Sequence, residues 1–135
     1  VIWSKSKKQF ESFLSPQLQG RVSIHVTAYT RTNVLNVGRG WITLDGTEVV
    51  SVGIPSFFSE NFTFRIETMD FGEAVRAYLS MSIEESLTSS DELIAGFAYL
   101  DRRLGQRTLA KVERDLLHPF AQELYDIRVS AGPVA

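Results

Sequence analysis

The chain has 135 residues, 44% of them hydrophobic and 22% charged, which suits one globular domain over residues 1–135 that needs no metal or disulfide staple. It contains no cysteine, and this excludes thiolate nucleophiles, cysteine-ligated zinc or iron–sulfur clusters and disulfide frameworks. Fourteen basic residues against sixteen acidic ones give a formal charge of −2, which argues against a polycation built to coat nucleic acid.

Ser4 to Leu14 reads as a helix with Ser4 as its N-cap and Phe10, Phe13 and Leu14 on one side, stopped by Ser15-Pro16. Arg21 to Thr30 alternates as a half-buried strand, with Val22, Ile24, Val26 and Ala28 on one face and Ser23, His25, Thr27 and Tyr29 on the other. A polar stretch, Arg31 to Gly38, leads to Trp41-Ile42-Thr43-Leu44, Asp45-Gly46 and Thr47 to Val52. Asp-Gly between two such runs signals a hairpin whose turn needs positive φ at both central residues. An unbroken register sets Ile42 opposite Val49 and Trp41 opposite Val50, leaving apolar groups on both hairpin faces. Phe62, Phe64 and Ile66 predict a fourth strand that extends an antiparallel meander.

After Asp70, taken as an N-cap, the period becomes helical: Phe71, Ala74, Val75, Tyr78 and Leu79 form a stripe opposite Glu73, Arg76, Ser80 and Glu84. Ser89 with Glu92 predicts a capping box for a helix bearing Leu93, Ile94, Phe97, Leu100 and Leu104, which Gly105 ends as a left-handed residue. Gln106 to Arg114 adds a helical turn or two. A last helix starts near Pro119, carries Phe120, Leu124, Ile127 and Ala131 on one side, and ends at Gly132-Pro133. The expected fold is α+β: an N-terminal helix, an antiparallel sheet of three to four strands, and three or four C-terminal helices packed on one face.

The small net charge is a cancellation. Residues 1–41 carry six basic residues and one acidic, residues 42–100 two and ten, and residues 101–114 five and two. At about 100° per residue Asp101 falls inside the stripe of Phe97, Leu100 and Leu104. A buried carboxylate needs a cation. Arg102 and Arg103 point away on that helical geometry, so the expected partner is Arg107, Arg76 or Arg128, in a structural buried ion pair. The same cluster also admits an anion- or partner-binding reading, with Arg102, Arg103, Arg107 and Lys111 converging near a helix end. Against it stand the dipole of a helix C-terminus, which repels anions, and the lack of a phosphate-loop pattern.

Other motifs read as structure. His25 lacks a carboxylate at strand spacing to orient it, and His118, before Pro119, looks like a cap or turn residue. Neither forms a metal motif, and no cofactor is expected. Ser4-Lys5-Ser6-Lys7 fits Ser-x-x-Lys only formally, Gly38-Arg39-Gly40 is an incomplete nucleotide fingerprint, and Asn61-Phe62-Thr63 is a glycosylation tripeptide that matters only in a secreted protein. Glu84, Glu85, Asp91 and Glu92 read as solvated helix surface and cap. Trp41 and Tyr29 among Arg21, Arg31 and Arg39 could make a stacking platform for single-stranded nucleic acid; the competing reading is core. No stretch reaches the roughly 18 apolar residues of a membrane span, and Val1–Lys8 holds no signal-peptide core. The chain starts at valine, so residues before Val1 can be missing, and a cytoplasmic protein is expected.

At Trp3-Ser4-Lys5, Gly20-Arg21-Val22, Trp41 to Gly46 and above all Leu100-Asp101-Arg102-Arg103-Leu104-Gly105-Gln106-Arg107-Thr108-Leu109, the chain resembles a small uncharacterised bacterial family. Its members look like single-domain proteins of similar length with an Asp-Arg-Arg-x-Gly-x-Arg segment after a helix. Gln106 stands where that family pattern favours a basic residue. The resemblance implies no catalytic residue. The leading expectation is a non-catalytic protein acting through protein–protein contacts as a homodimer, because a sheet apolar on both faces needs a second subunit to cover it. The alternative is phosphate or nucleic-acid binding through the basic patch.

Overall fold

In the computed structural model, which describes residues 3–26, 39–53, 64–65 and 71–132, the hairpin turn organises the sheet. Asp45 and Gly46 both have positive φ, 53° and 85°, as a two-residue turn matching the strand twist requires. The turn joins β2 (Arg39–Leu44) to β3 (Thr47–Gly53), and β1 (Val22–Val26) pairs antiparallel with the other side of β2. Arg21 and Asp45 close this end with a two-point ion pair at 2.9–3.0 Å, exposed to water.

The register departs from the unbroken pairing. Leu44 faces Thr47 and Thr43 faces Glu48, but a bulge between Ile42 and Thr43 sets Ile42 opposite Val50 and Trp41 opposite Ser51. One extra residue re-aims the strand beyond it. Val50 and Val52 thereby join Ile42, Ile24 and Val22 on the buried face. The opposite face carries Ser23, His25, Thr43, Trp41 and Ser51. It is mainly polar, not apolar as the unbroken register implied.

The fourth strand, β4 (Phe64–Arg65), pairs with β3 in parallel, Val52 with Phe64 and Gly53 with Arg65. This corrects the antiparallel meander: ten residues separate Gly53 from Phe64, so the two strands are not joined by a tight hairpin turn. Ala28, Tyr29, Arg31, the glycosylation tripeptide at Asn61, Ile66, Asp70 and Pro133 lie outside the described residues.

One helix precedes the sheet. In α1 (Trp3–Ser12) Ser4 lies inside the first turn, one residue past the start, so it is not the N-cap. From its half-buried side Lys7 reaches the Ser23 hydroxyl at 2.7 Å and the Ile24 carbonyl at 2.8 Å. Glu11 accepts from the Ser23 hydroxyl, the Ile24 N–H and Lys7 at 2.6, 3.2 and 2.9 Å. Two side chains thus occupy backbone groups along the outer edge of β1, where an unpaired strand would otherwise invite another chain.

The remaining helices are α2 (Phe71–Leu79), α3 (Ile83–Leu87), α4 (Glu92–Phe97), α5 (Gln106–Leu109) and α6 (Pro119–Ser130). The capping box lies at α3, where the Ser82 hydroxyl takes the Glu85 N–H and the Glu85 carboxylate takes the Ser82 N–H. It is not at Ser89. α4 is capped by Asp91, whose carboxylate takes the Leu93 and Ile94 N–H groups, while Ser89 accepts from Asp91 N. A carboxylate two and three residues before those amides reaches them better than a hydroxyl four and five residues away.

Phe97 is the hub of the core. Its buried ring meets Phe10 at 5.1 Å, Phe71 and Tyr78 at 5.5 Å and Phe120 at 5.8 Å, mostly edge to face. Phe71 in turn lies on Gly40, where an added methyl would fall on its Cβ and Cγ. The helices and the sheet therefore meet through one aromatic cluster over a glycine.

Replacing Phe97 with alanine should cost about 3–5 kcal/mol in urea denaturation, whereas Leu116→Ala at a 78% exposed site should change stability by less than about 0.5 kcal/mol. Burial alone would raise the Glu11 carboxyl, but the Ser23, Lys7 and Ile24 hydrogen bonds outweigh it and hold the group below its ordinary value of 4.5. Its contribution is thus complete above pH 4.5 and is lost as pH falls through the lower folded value. A Glu11→Gln variant should show a flatter acid limb in a pH–stability profile.

Candidate functional site

The segment from Asp101 to Lys111 holds the charged cluster singled out in the sequence. α4 gives way after Phe97 to one tighter turn, Ala98–Leu100, and at Asp101 the backbone is extended (φ −81°, ψ 132°). Here it pairs with the exit of α1: Ser15 N–H donates to Leu100 O at 3.0 Å and Arg102 N–H to Phe13 O at 2.8 Å. Gly105 has φ −83° and opens α5 as its N-cap, so it does not end a helix in the left-handed conformation.

This geometry changes which arginine meets Asp101, whose residue is 1% exposed. Once the helix has ended, Arg103 no longer points away. Its backbone N–H donates to Oδ1 at 2.8 Å, Nε lies 3.1 Å from both carboxylate oxygens, and Nη2 reaches Oδ2 at 2.8 Å. The Tyr78 hydroxyl also donates to Oδ2. Burial and then the Asp101 charge push that phenol well above its ordinary range, so it remains a protonated donor. Arg103 further donates to Met81 O at 3.0 Å and lies over the Phe13 ring at 4.7 Å.

The distant candidates do other things. Arg128, 2% exposed, gives its guanidinium to three carbonyls, Tyr99, Asp101 and Leu104, at 3.3, 2.7 and 2.6 Å. Burial lowers it from the usual arginine range, and the nearby Asp101 charge opposes that shift. It thus bonds the Asp101 backbone and not the carboxylate. Arg107 and Arg76 are exposed and make no hydrogen bond or ion pair among the described residues.

The four proposed anion or partner ligands therefore separate. Arg103 is consumed by Asp101, Met81 and Phe13. Arg102, Arg107 and Lys111 are exposed, without counter-ion or hydrogen-bond partner for their side chains among the described residues. Arg107 now lies at the start of a helix, so the C-terminal dipole objection does not apply. A four-residue helix carries little dipole in either direction.

The histidines are engaged elsewhere. His25 stacks on Trp41 at 5.3 Å and shares a hydrogen bond with Thr43 at 3.2 Å. Burial, then the Lys7 charge, holds it below its ordinary value, with Glu11 opposing. His118 caps α6, its Nδ1 accepting from Phe120 N at 3.1 Å, and its Nε2 lies 3.0 Å from Glu92. In the Ser-x-x-Lys stretch, Lys7 bonds Ser23 and Glu11 and not Ser4. Among the described residues no group of three or more histidines and carboxylates is placed to hold a metal ion, and no helix is long and apolar enough to cross a membrane.

Tyr78 is the member of the Asp101 cluster that the sequence missed as a polar partner. Its position on the apolar stripe marked it as core, and only the fold sets its hydroxyl against a carboxylate 23 residues away. Breaking the pair should be costly because a charge is left buried: Arg103→Ala should lose about 2–4 kcal/mol, discounted for the part-exposed arginine. The Asp101→Ala/Arg103→Ala double variant should lose less than the sum of the two singles, with a coupling of about 1–3 kcal/mol in a denaturation cycle.

The family model of the SF0329 protein family matches the chain over residues 2–67 and 59–129. No curated protein and no solved structure matches it.

Proposed function

The chain belongs to the SF0329 protein family, and from the geometry of residues 101–111 we propose that it is a non-catalytic bacterial protein of the cytoplasm that acts through protein–protein contacts as a homodimer. The observation that carries this reading is charge without counter-charge. Arg102, Arg107 and Lys111 are exposed and unpaired among the described residues, on a segment pinned by the Asp101 network and by the α1 exit.

A second copy offers suitable carboxylates, since Glu84 and Glu123 are exposed and make no ion pair among the described residues. Exposed ion pairs are worth only about 0–1 kcal/mol each, so such a contact needs apolar area as well. Leu116, 78% exposed, and Val129, 51% exposed, supply it near α6.

A second reading, phosphate or nucleic-acid binding by the same cations, draws support from Gly105 opening a helix, which removes the dipole that would repel an anion from Arg107. Sedimentation equilibrium separates the two. The first reading expects a dimer that loosens with salt and with Arg102→Ala/Arg107→Ala, and a monomer at every salt concentration sinks it. Retention on a nucleic-acid or phosphate column, falling with salt at a log–log slope of about 0.7–0.9 per neutralised phosphate and lost in the same variant, selects the second.

A further inference from the structure

Where α1 packs toward α2, its buried side carries Ser6 one turn before Phe10. A serine cannot fill the space that a larger apolar side chain would. A hollow of about 310 Å³ lies there, lined by Ser6, Gln9, Arg76, Leu79 and Ser80. Ser6 is only 5% exposed, and its hydroxyl makes no hydrogen bond among the described residues. The hydroxyl oxygen itself is not shut off from solvent and opens onto the hollow. Arg76 also meets no carboxylate among the described residues.

We propose that this hollow binds a small organic oxyanion, with its carboxylate or phosphate held by Arg76 and the Ser6 hydroxyl and its apolar body against Leu79. The guanidinium fork presents two parallel N–H groups to such an anion. The Gln9 amide, which has no partner among the described residues, is a further donor. Ser80 already donates to Ala77 O at 3.0 Å, so its free capacity is as an acceptor. Leu79 is half-buried and supplies the apolar wall. Exposed Lys5, one turn before Gln9 on α1, adds positive charge on that side. The volume lies at the lower end of the roughly 300–1,000 Å³ of organic-ligand pockets, so the ligand is small. The site is separate from residues 101–111.

The test is a titration of the folded protein with butyrate and, separately, inorganic phosphate, followed by backbone amide NMR shifts. Saturable shifts at Ser6, Gln9, Arg76 and Leu79 are expected, with butyrate the tighter because phosphate offers Leu79 nothing. Arg76→Gln should weaken binding about tenfold or more, the loss of a charge-assisted pair. Ser6→Leu should abolish binding and raise the thermal midpoint by filling the hollow; the exposed Arg76→Gln variant keeps the test valid if that one misfolds. Unmoved amides, shifts confined to residues 102–111, equal binding by Arg76→Gln, or phosphate binding more tightly than butyrate would overturn the proposal.

Discussion

A carboxylate taken out of water must be met by donors and by positive charge, and around Asp101 that requirement draws four parts of the chain together. Arg103 meets it from the next turn, Tyr78 from α2, and the α1 exit zips to the backbone on either side. Arg128 arrives from α6 to take three carbonyls of the same segment. Each bond is modest in net terms. Removing any one strands a charge or a polar group in the interior, where it is expensive. The segment between α4 and α5 is irregular for this reason: an α-helix running on to Leu104 would carry Arg103 away from the carboxylate.

The sheet is governed by a different constraint, the period-two alternation of side chains. One bulge in the hairpin moves Val50 and Val52 to the core with Ile42, and leaves a polar face around the His25–Trp41 stack. Along the free edge of β1, Lys7 and Glu11 occupy backbone groups that would otherwise be open to another strand. The basic N-terminal portion meets the acidic middle through Arg21 with Asp45, while Lys7 pairs with Glu11 within the N-terminal portion itself. Arg102, Arg107 and Lys111 are the cations of the 101–111 cluster left over, and they carry the proposed contact.

Much of the architecture was legible because it rests on local chemistry. Asp45-Gly46 dictates its turn through the φ values those residues tolerate, Pro119 marks the start of α6, and the helical period after residue 70 identifies Phe71, Ala74, Val75 and Tyr78 as core. The aromatic residues around Phe97 follow from the same periodicities. The parallel pairing of β4 was not legible, because alternation specifies a strand's faces and not its direction. The cap of α4 is not legible because Ser89 and Asp91 both satisfy local capping rules, and only the geometry of the preceding turn chooses between them.

By itself, then, the sequence determined the α+β order of elements, the hairpin turn and the placement of Asp101 among apolar neighbours, all of which depend on residues a few positions apart. The tertiary structure decided the bulge register, the end of the helix before Asp101, the partnership with Arg103 and Tyr78, and which cations stay exposed. Those outcomes depend on which side chains from distant segments compete for the same buried space and the same donors. No spacing along the chain encodes that competition.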